Sequence, residues 1–282
     1  MRPFRRLLLL LGLALAAPLP GHAAGEVAKS LEIGDYRIDF IADPDAPVMP
    51  FTAALRVTRH GREVYGAPFL TRLDTLEIPP GGRNSVFPAE PGSDLTGDGR
   101  PDLALLSFSG GAHCCFTLEI FRLQPDFARI ARIEGENSPP QLLPRAAGRG
   151  YLVELVDWTF AYWHAPFAAS PAPLVRLAWN GEAFAADPAL MRSPPLSDND
   201  LDRKVDALAA ELAAAGKAVP SLWKEMLELL YGGNGEQAFA LLARSWPEGL
   251  GGREAFLLQF GAQLGLSAYY PALVALNGWE DF

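Results

Sequence analysis

The chain has only two cysteines, four methionines and four histidines in 282 residues. It contains no Gly-x-Ser-x-Gly elbow, no His-Glu-x-x-His motif and no Gly-rich phosphate loop leading into a helix. With so few imidazoles to act as bases, no catalytic residue is nominated, and a hydrolase would need a cleft with paired carboxylates. Positive charge is also scarce: 24 Lys and Arg stand against 33 Asp and Glu, a net charge of −9. That balance argues against a nucleic-acid partner held through phosphate neutralisation. Glycine and proline are plentiful instead, at 27 and 25 residues, which favours short strands joined by turns. Hydrophobic residues make up 49% and charged residues 20%, as in a globular chain long enough for one or two domains with a buried core.

Residues 1–23 read as a secretory signal. Arg2, Arg5 and Arg6 form the positive start, residues 7–17 are an apolar stretch, and Pro18 and Pro20 precede the small residues Gly21 and Ala23. Cleavage after Ala23 keeps small residues at both cleavage positions, whereas cleavage after Ala24 would place His22 there. The apolar stretch is far short of the roughly 20 residues a membrane span needs, and no later run reaches that length. The expected product is periplasmic or secreted, with no integral membrane segment after signal removal.

The remainder divides by periodicity into an α+β chain. Residues 25–190 are read as a β-rich domain and residues 196–282 as a helical subdomain. Tyr36, Ile38 and Phe40 alternate with Arg37 and Asp39, and Leu55 and Val57 alternate with Arg56 and Thr58, the pattern of strands with one buried face. His60-Gly61 marks a turn back to Val64 and Tyr65. Residues 116–123 and 127–133 form a plausible hairpin around Gln124-Pro125-Asp126. Residues 151–158 read as a further strand, and Asn180-Gly181 between 174–179 and 183–184 carries the strongest hairpin signal. About nine strands are expected. After Ser193-Pro194-Pro195 the period changes. Ser197 can cap a helix bearing Leu201, Val205, Leu208 and Leu212, ended by Gly216. Further helices are expected at 220–231, 234–246, 253–264 and 267–276, without the repeated period of a solenoid.

Asp94, Thr96, Asp98, Arg100 and Asp102 place oxygen donors at alternate positions around Gly97 and Gly99. Such a loop suits calcium, with the three carboxylates and the Arg100 carbonyl as ligands. An EF-hand would require Glu at the twelfth position, which is Leu105, and flanking helices where a strand is expected. The alternative is a metal-free Asx-type turn, since Asp and Gly favour turns in any case.

Followed by its strand, this loop resembles the calcium loop of FG-GAP/VCBS repeats, the blades of integrin-α-like propellers. Ser109-Gly110-Gly111-Ala112-His113-Cys114-Cys115, the stretch from Phe160 to Phe167, and Ser170-Pro171-Ala172-Pro173 resemble segments of exported bacterial proteins with one such repeat. The similarity covers about residues 94–179. Thr96 stands where the repeat has Asp or Asn, and one copy is visible where a propeller needs at least about four blades. The resemblance therefore implies one propeller-blade-like sheet and a structural calcium, with an affinity of about 0.1–1 mM if it behaves as an extracellular module.

Cys114 and Cys115 are adjacent. Their Cα atoms should lie about 3.8 Å apart, below the usual disulfide range, so a vicinal ring would need a distorted turn. Buried thiols and, with His113, a soft-metal site are the alternatives. The aromatic run Trp158, Phe160, Tyr162, Trp163, His164 and Phe167 could hold a ligand, but alternation placing Trp158, Phe160 and Tyr162 on one face favours core packing. The reading that best unites these features is a calcium-stabilised binding or scaffolding module of the cell envelope, with an unknown protein or glycan ligand. Its rival is a periplasmic redox or metal-handling protein using His113-Cys114-Cys115. Counting free thiols under denaturing conditions tests the cysteine alternatives: a ring predicts none per chain, and two would exclude it.

Overall fold

A computed structural model describes residues 26–42, 53–67, 89–108, 115–145 and 148–279. The expected signal segment, His113 and Cys114 lie outside the described residues. Among the described residues eleven strands precede all the longer helices, giving the expected α+β fold. The first sheet is an antiparallel meander of β1 (Val27–Ile33), β2 (Tyr36–Ala42), β3 (Ala53–Arg59) and β4 (Arg62–Ala67). The second contains β5 (Asp102–Phe108), β6 (Phe116–Arg122) and β7 (Ala128–Glu136). The third contains β8 (Gln141–Pro144), β9 (Tyr151–Val156), β10 (Leu174–Trp179) and β11 (Phe184–Ala186), in the order β11-β10-β9-β8. The sheet that follows the acidic loop thus has three strands among the described residues.

Local chemistry accounts for the turns. His60 and Gly61 adopt φ of 51° and 76° between β3 and β4. At the β10–β11 hairpin, Gly181 has φ 103° and the Asn180 side chain accepts from the N–H groups of Glu182 and Ala183, each at 2.9 Å. The helical part begins with α1 (Pro188–Met191) and continues with α2 (Asp198–Ala215), α3 (Pro220–Tyr231), α4 (Gly235–Ser245), α5 (Arg253–Leu264) and α6 (Tyr270–Asn277). Ser197 caps α2 by accepting from Asp200 N–H at 3.2 Å, and Gly216 ends it in the left-handed region.

The second sheet is buried on both faces, and alternation sorts its side chains. Leu103, Leu105, Phe121 and Leu123 join Tyr36, Ile38, Phe40, Leu55 and Val57 in one core against the first sheet. Leu106, Leu118, Ile120 and Ile133 face the other way, into a larger core shared with the third sheet and the helices. On the opposite face of β2, Asp39 is buried although its place in the alternation predicts solvent, because Arg37, Arg56 and Ser30 close over it at 2.6–3.0 Å.

One polar node joins the β part to the helical part. Asp157, just beyond β9, is 5% exposed. Its Oδ1 accepts from Thr159 N–H at 2.8 Å and Thr159 hydroxyl at 2.5 Å. Its Oδ2 accepts from the Tyr231 hydroxyl of α3 at 2.5 Å and from Ser267, between α5 and α6. Burial pushes the Tyr231 hydroxyl far up, with the Asp157 charge adding to the effect, so it stays a donor. Gln263 of α5 donates to Thr159 O alongside. Tyr231→Phe removes one donor to a buried anion and should cost about 1.5–3 kcal/mol in urea unfolding; an unchanged midpoint would show the node to be dispensable.

Candidate functional site

The acidic loop is closed like a small hairpin: Gly92 N–H donates to Asp102 O at 3.1 Å and Asp102 N–H to Ser93 O at 3.0 Å. Leu95, fully buried, anchors it to the larger core, and Leu95 O accepts from Tyr151 N–H at 2.9 Å, docking the loop on the start of β9. This approach requires glycine. A Cβ on Gly97, whose φ is 84°, would stand 2.8 Å from Arg149 O.

The predicted ligand residues are all in this loop, but their oxygens are partly engaged by the backbone. Asp94 accepts from Gly97 N–H at 2.6 Å and Gly99 N–H at 2.8 Å, one per oxygen. Asp98 accepts from Arg100 N–H at 2.9 Å. Asp102 Oδ2 accepts from Leu95 and Thr96 N–H at 2.9 and 3.2 Å. These are Asx-type turn contacts. Among the described residues no group of three or more His, Cys, Asp or Glu side chains converges as a metal site.

Two oxygens are left over. Asp102 Oδ1 and Thr96 Oγ1 are buried without a hydrogen-bond partner among the described residues. Asp102 is 2% exposed, and burial pushes its carboxyl up to about 6; the Thr96 and Leu95 N–H groups oppose that rise, while Asp98 and Asp94 add to it. In fit, a hard cation would supply what these two oxygens lack, whereas the contacts of Asp94 and Asp98 also stand without one.

Cys115, immediately before β6, is half-buried and disulfide-bonded, and the only other cysteine of the chain is Cys114. The aromatic run departs from its expected single face. The chain leaves the sheet after β9 and turns, with Ala161 N–H donating to Trp158 O and Trp163 N–H to Phe160 O at 2.7 and 3.2 Å. Phe160 is therefore core, while Tyr162, at φ 59°, is 57% exposed. Trp163 and His164 come together on the wall of a pocket of about 600 Å³, beside Trp223 of α3. The Asp157 node had no signal in the sequence beyond an Asp-x-Thr turn at a strand end, because Tyr231 and Ser267 lie 74 and 110 residues away.

With a chelator present, ionised Asp102 opposes folding. Its folded value, near 6, exceeds the ordinary 3.8, so the folded chain binds the extra proton between these limits. Stability should rise as pH falls from about 6 towards 4, by on the order of 3 kcal/mol from this group. Asp102→Asn should remove that increment in pH-dependent urea unfolding; an identical slope in the variant would contradict the assignment. No family model, curated protein or solved structure matches this chain.

Proposed function

We propose that this chain is an exported, calcium-stabilised binding or scaffolding module of the bacterial cell envelope. The observation that carries the reading is the buried Asp102 carboxylate, whose Oδ1 lacks a partner among the described residues, as does the hydroxyl of Thr96 in the same loop. Buried anions need a cation or a full set of donors, and here the flanking Asp94 and Asp98 add negative charge instead. Calcium, bound through Asp94, Thr96, Asp98, Asp102 and the Arg100 carbonyl, would neutralise the loop, as the FG-GAP/VCBS resemblance implies. Its role is structural: the loop lies between the two cores and on the start of β9, so ordering it stiffens the junction. Export follows from the signal-like residues 1–23, and the binding role from a chain that nominates no catalytic residue but offers concave surface.

A second reading is favoured by the bonded state of Cys115: a redox or metal-handling protein using His113-Cys114-Cys115. Reversible reduction that alters partner binding would select it.

The calcium reading is tested by the melting temperature in chelator and then in millimolar calcium. At tenfold over Kd, binding contributes about 1.4 kcal/mol, a rise of about 3–5 °C for a chain of this size. Asp98→Ala should abolish the rise. No calcium response in the parent protein, or an undiminished one in Asp98→Ala, would overturn the calcium assignment.

A further inference from the structure

The pocket beside Trp163 has features that neither the calcium loop nor the cysteine pair explains. Four segments build it: the turn after β9, the connection from α2 into α3, Trp246 at the end of α4, and the start of α5 with the glycines before it. It therefore lies where the β and helical parts meet, and about 600 Å³ is within the range of small-ligand sites.

Its floor is aromatic. Trp163 meets Trp223 edge to face at a centroid distance of 5.2 Å, and Trp246 lies 5.8 Å from Phe256. Trp163 and Trp246 keep part of their surface open, whereas Trp223 is 2% exposed. The indole N–H of Trp223 is buried and has no acceptor among the described residues, although a buried indole ordinarily finds one. His164, with φ 51°, is held at the rim with its ring 4.6 Å from that of Trp163.

Electrostatics decide which ligand fits. An aromatic floor alone would suit a quaternary ammonium, but among the described residues no Asp or Glu lines the pocket and Lys217 does. Lys217 is exposed and makes no hydrogen bond or ion pair among the described residues. Two helices of 12 residues, α3 and α5, begin at the pocket wall, and neither has a side-chain cap on its first turn. Because α3 opens on Pro220 and its Leu222 N–H donates to Val219 O, the uncapped N–H groups are chiefly those of α5, whose first-turn Glu254 lies outside the pocket lining. With the positive dipole ends they favour an anion.

We propose that this pocket binds a small organic carboxylate with an apolar ring face, that face lying on Trp163, Trp246 and Phe256 and the carboxylate between Lys217 and the start of α5. The assignment rests on the binding-module reading for its purpose and is independent of the calcium loop for its geometry. The shared chemistry is an anionic head on a ring face, which an aromatic acid or an acidic sugar can supply.

The test is calorimetric titration of the purified protein with phenylacetate and with galacturonate, each paired with a neutral counterpart, 2-phenylethanol or galactose. At least one acid should bind with at least tenfold preference over its counterpart. Lys217→Met should weaken that acid about tenfold and leave the neutral compound unchanged. Ala255→Trp, at an exposed position on the pocket wall, should fill the space and abolish binding while preserving the melting temperature. Binding of phenylacetate alone identifies an aromatic acid as the source, and binding of galacturonate alone an acidic sugar. Absence of binding by both acids at millimolar concentration, equal binding of acid and neutral partner, or indifference to both variants overturns the proposal. Repeating the titration in chelator and in calcium separates this outcome from failure of the calcium loop, which the melting temperature reports.

Discussion

The buried carboxylate of Asp157 is the constraint on which the join between the two parts depends. An anion taken out of water needs its lone pairs filled, or its desolvation goes uncompensated. Here the donors come from both sides: Thr159 from the β part, Tyr231 and Ser267 from the helical part. The helices therefore cannot slide along the third sheet without stranding the charge. Apolar packing supplies the bulk of the adhesion through the larger core, but that force is non-directional. The hydrogen bonds to Asp157 give it a register.

The register sets two further features. It brings Trp163 of the β part against Trp223, Phe256 and Phe260 of the helices, which shapes the aromatic pocket at the seam. It also leaves the acidic loop beside the second sheet, whose two faces belong to two different cores. A change of order in that loop would be felt in both cores, because Leu95 is set in the larger one and Leu103, next to Asp102, is set in the smaller. This placement is why a weakly held structural cation would matter to the whole molecule and not to a surface turn alone.

Much of the fold was legible because its signals are local. A turn at His60-Gly61 or Asn180-Gly181 needs only positive φ and an Asn side chain within reach. The start and stop of α2 need only Ser197 and Gly216. The ends of α3 and α5 coincide with Pro220, Gly232, Gly252 and Gly265. Alternation misled where the chain left a sheet without a change of composition. Trp158, Phe160 and Tyr162 have the spacing of a strand face, yet a pair of turn hydrogen bonds and the left-handed Tyr162 send them in different directions. The short α1 and β8 escaped for the opposite reason: four residues carry too little periodicity to read.

The acidic loop shows the same division at the level of a site. Which residues carry its charge, and that they surround a glycine turn, follow from residues 94–102 alone, because the loop is short and closes on itself. That the loop docks on Tyr151 and the preceding Arg149, and that Asp102 is its buried member with one oxygen unpartnered among the described residues, is set by the tertiary structure. By itself, then, the sequence determined the elements, their caps and turns, the α-after-β order and the identity of the charged loop, all governed by interactions within a few residues. Only the tertiary structure decided which charge is desolvated, which tryptophans share a wall and which donors reach Asp157, because burial and long-range hydrogen bonds depend on segments up to 110 residues apart meeting in one register.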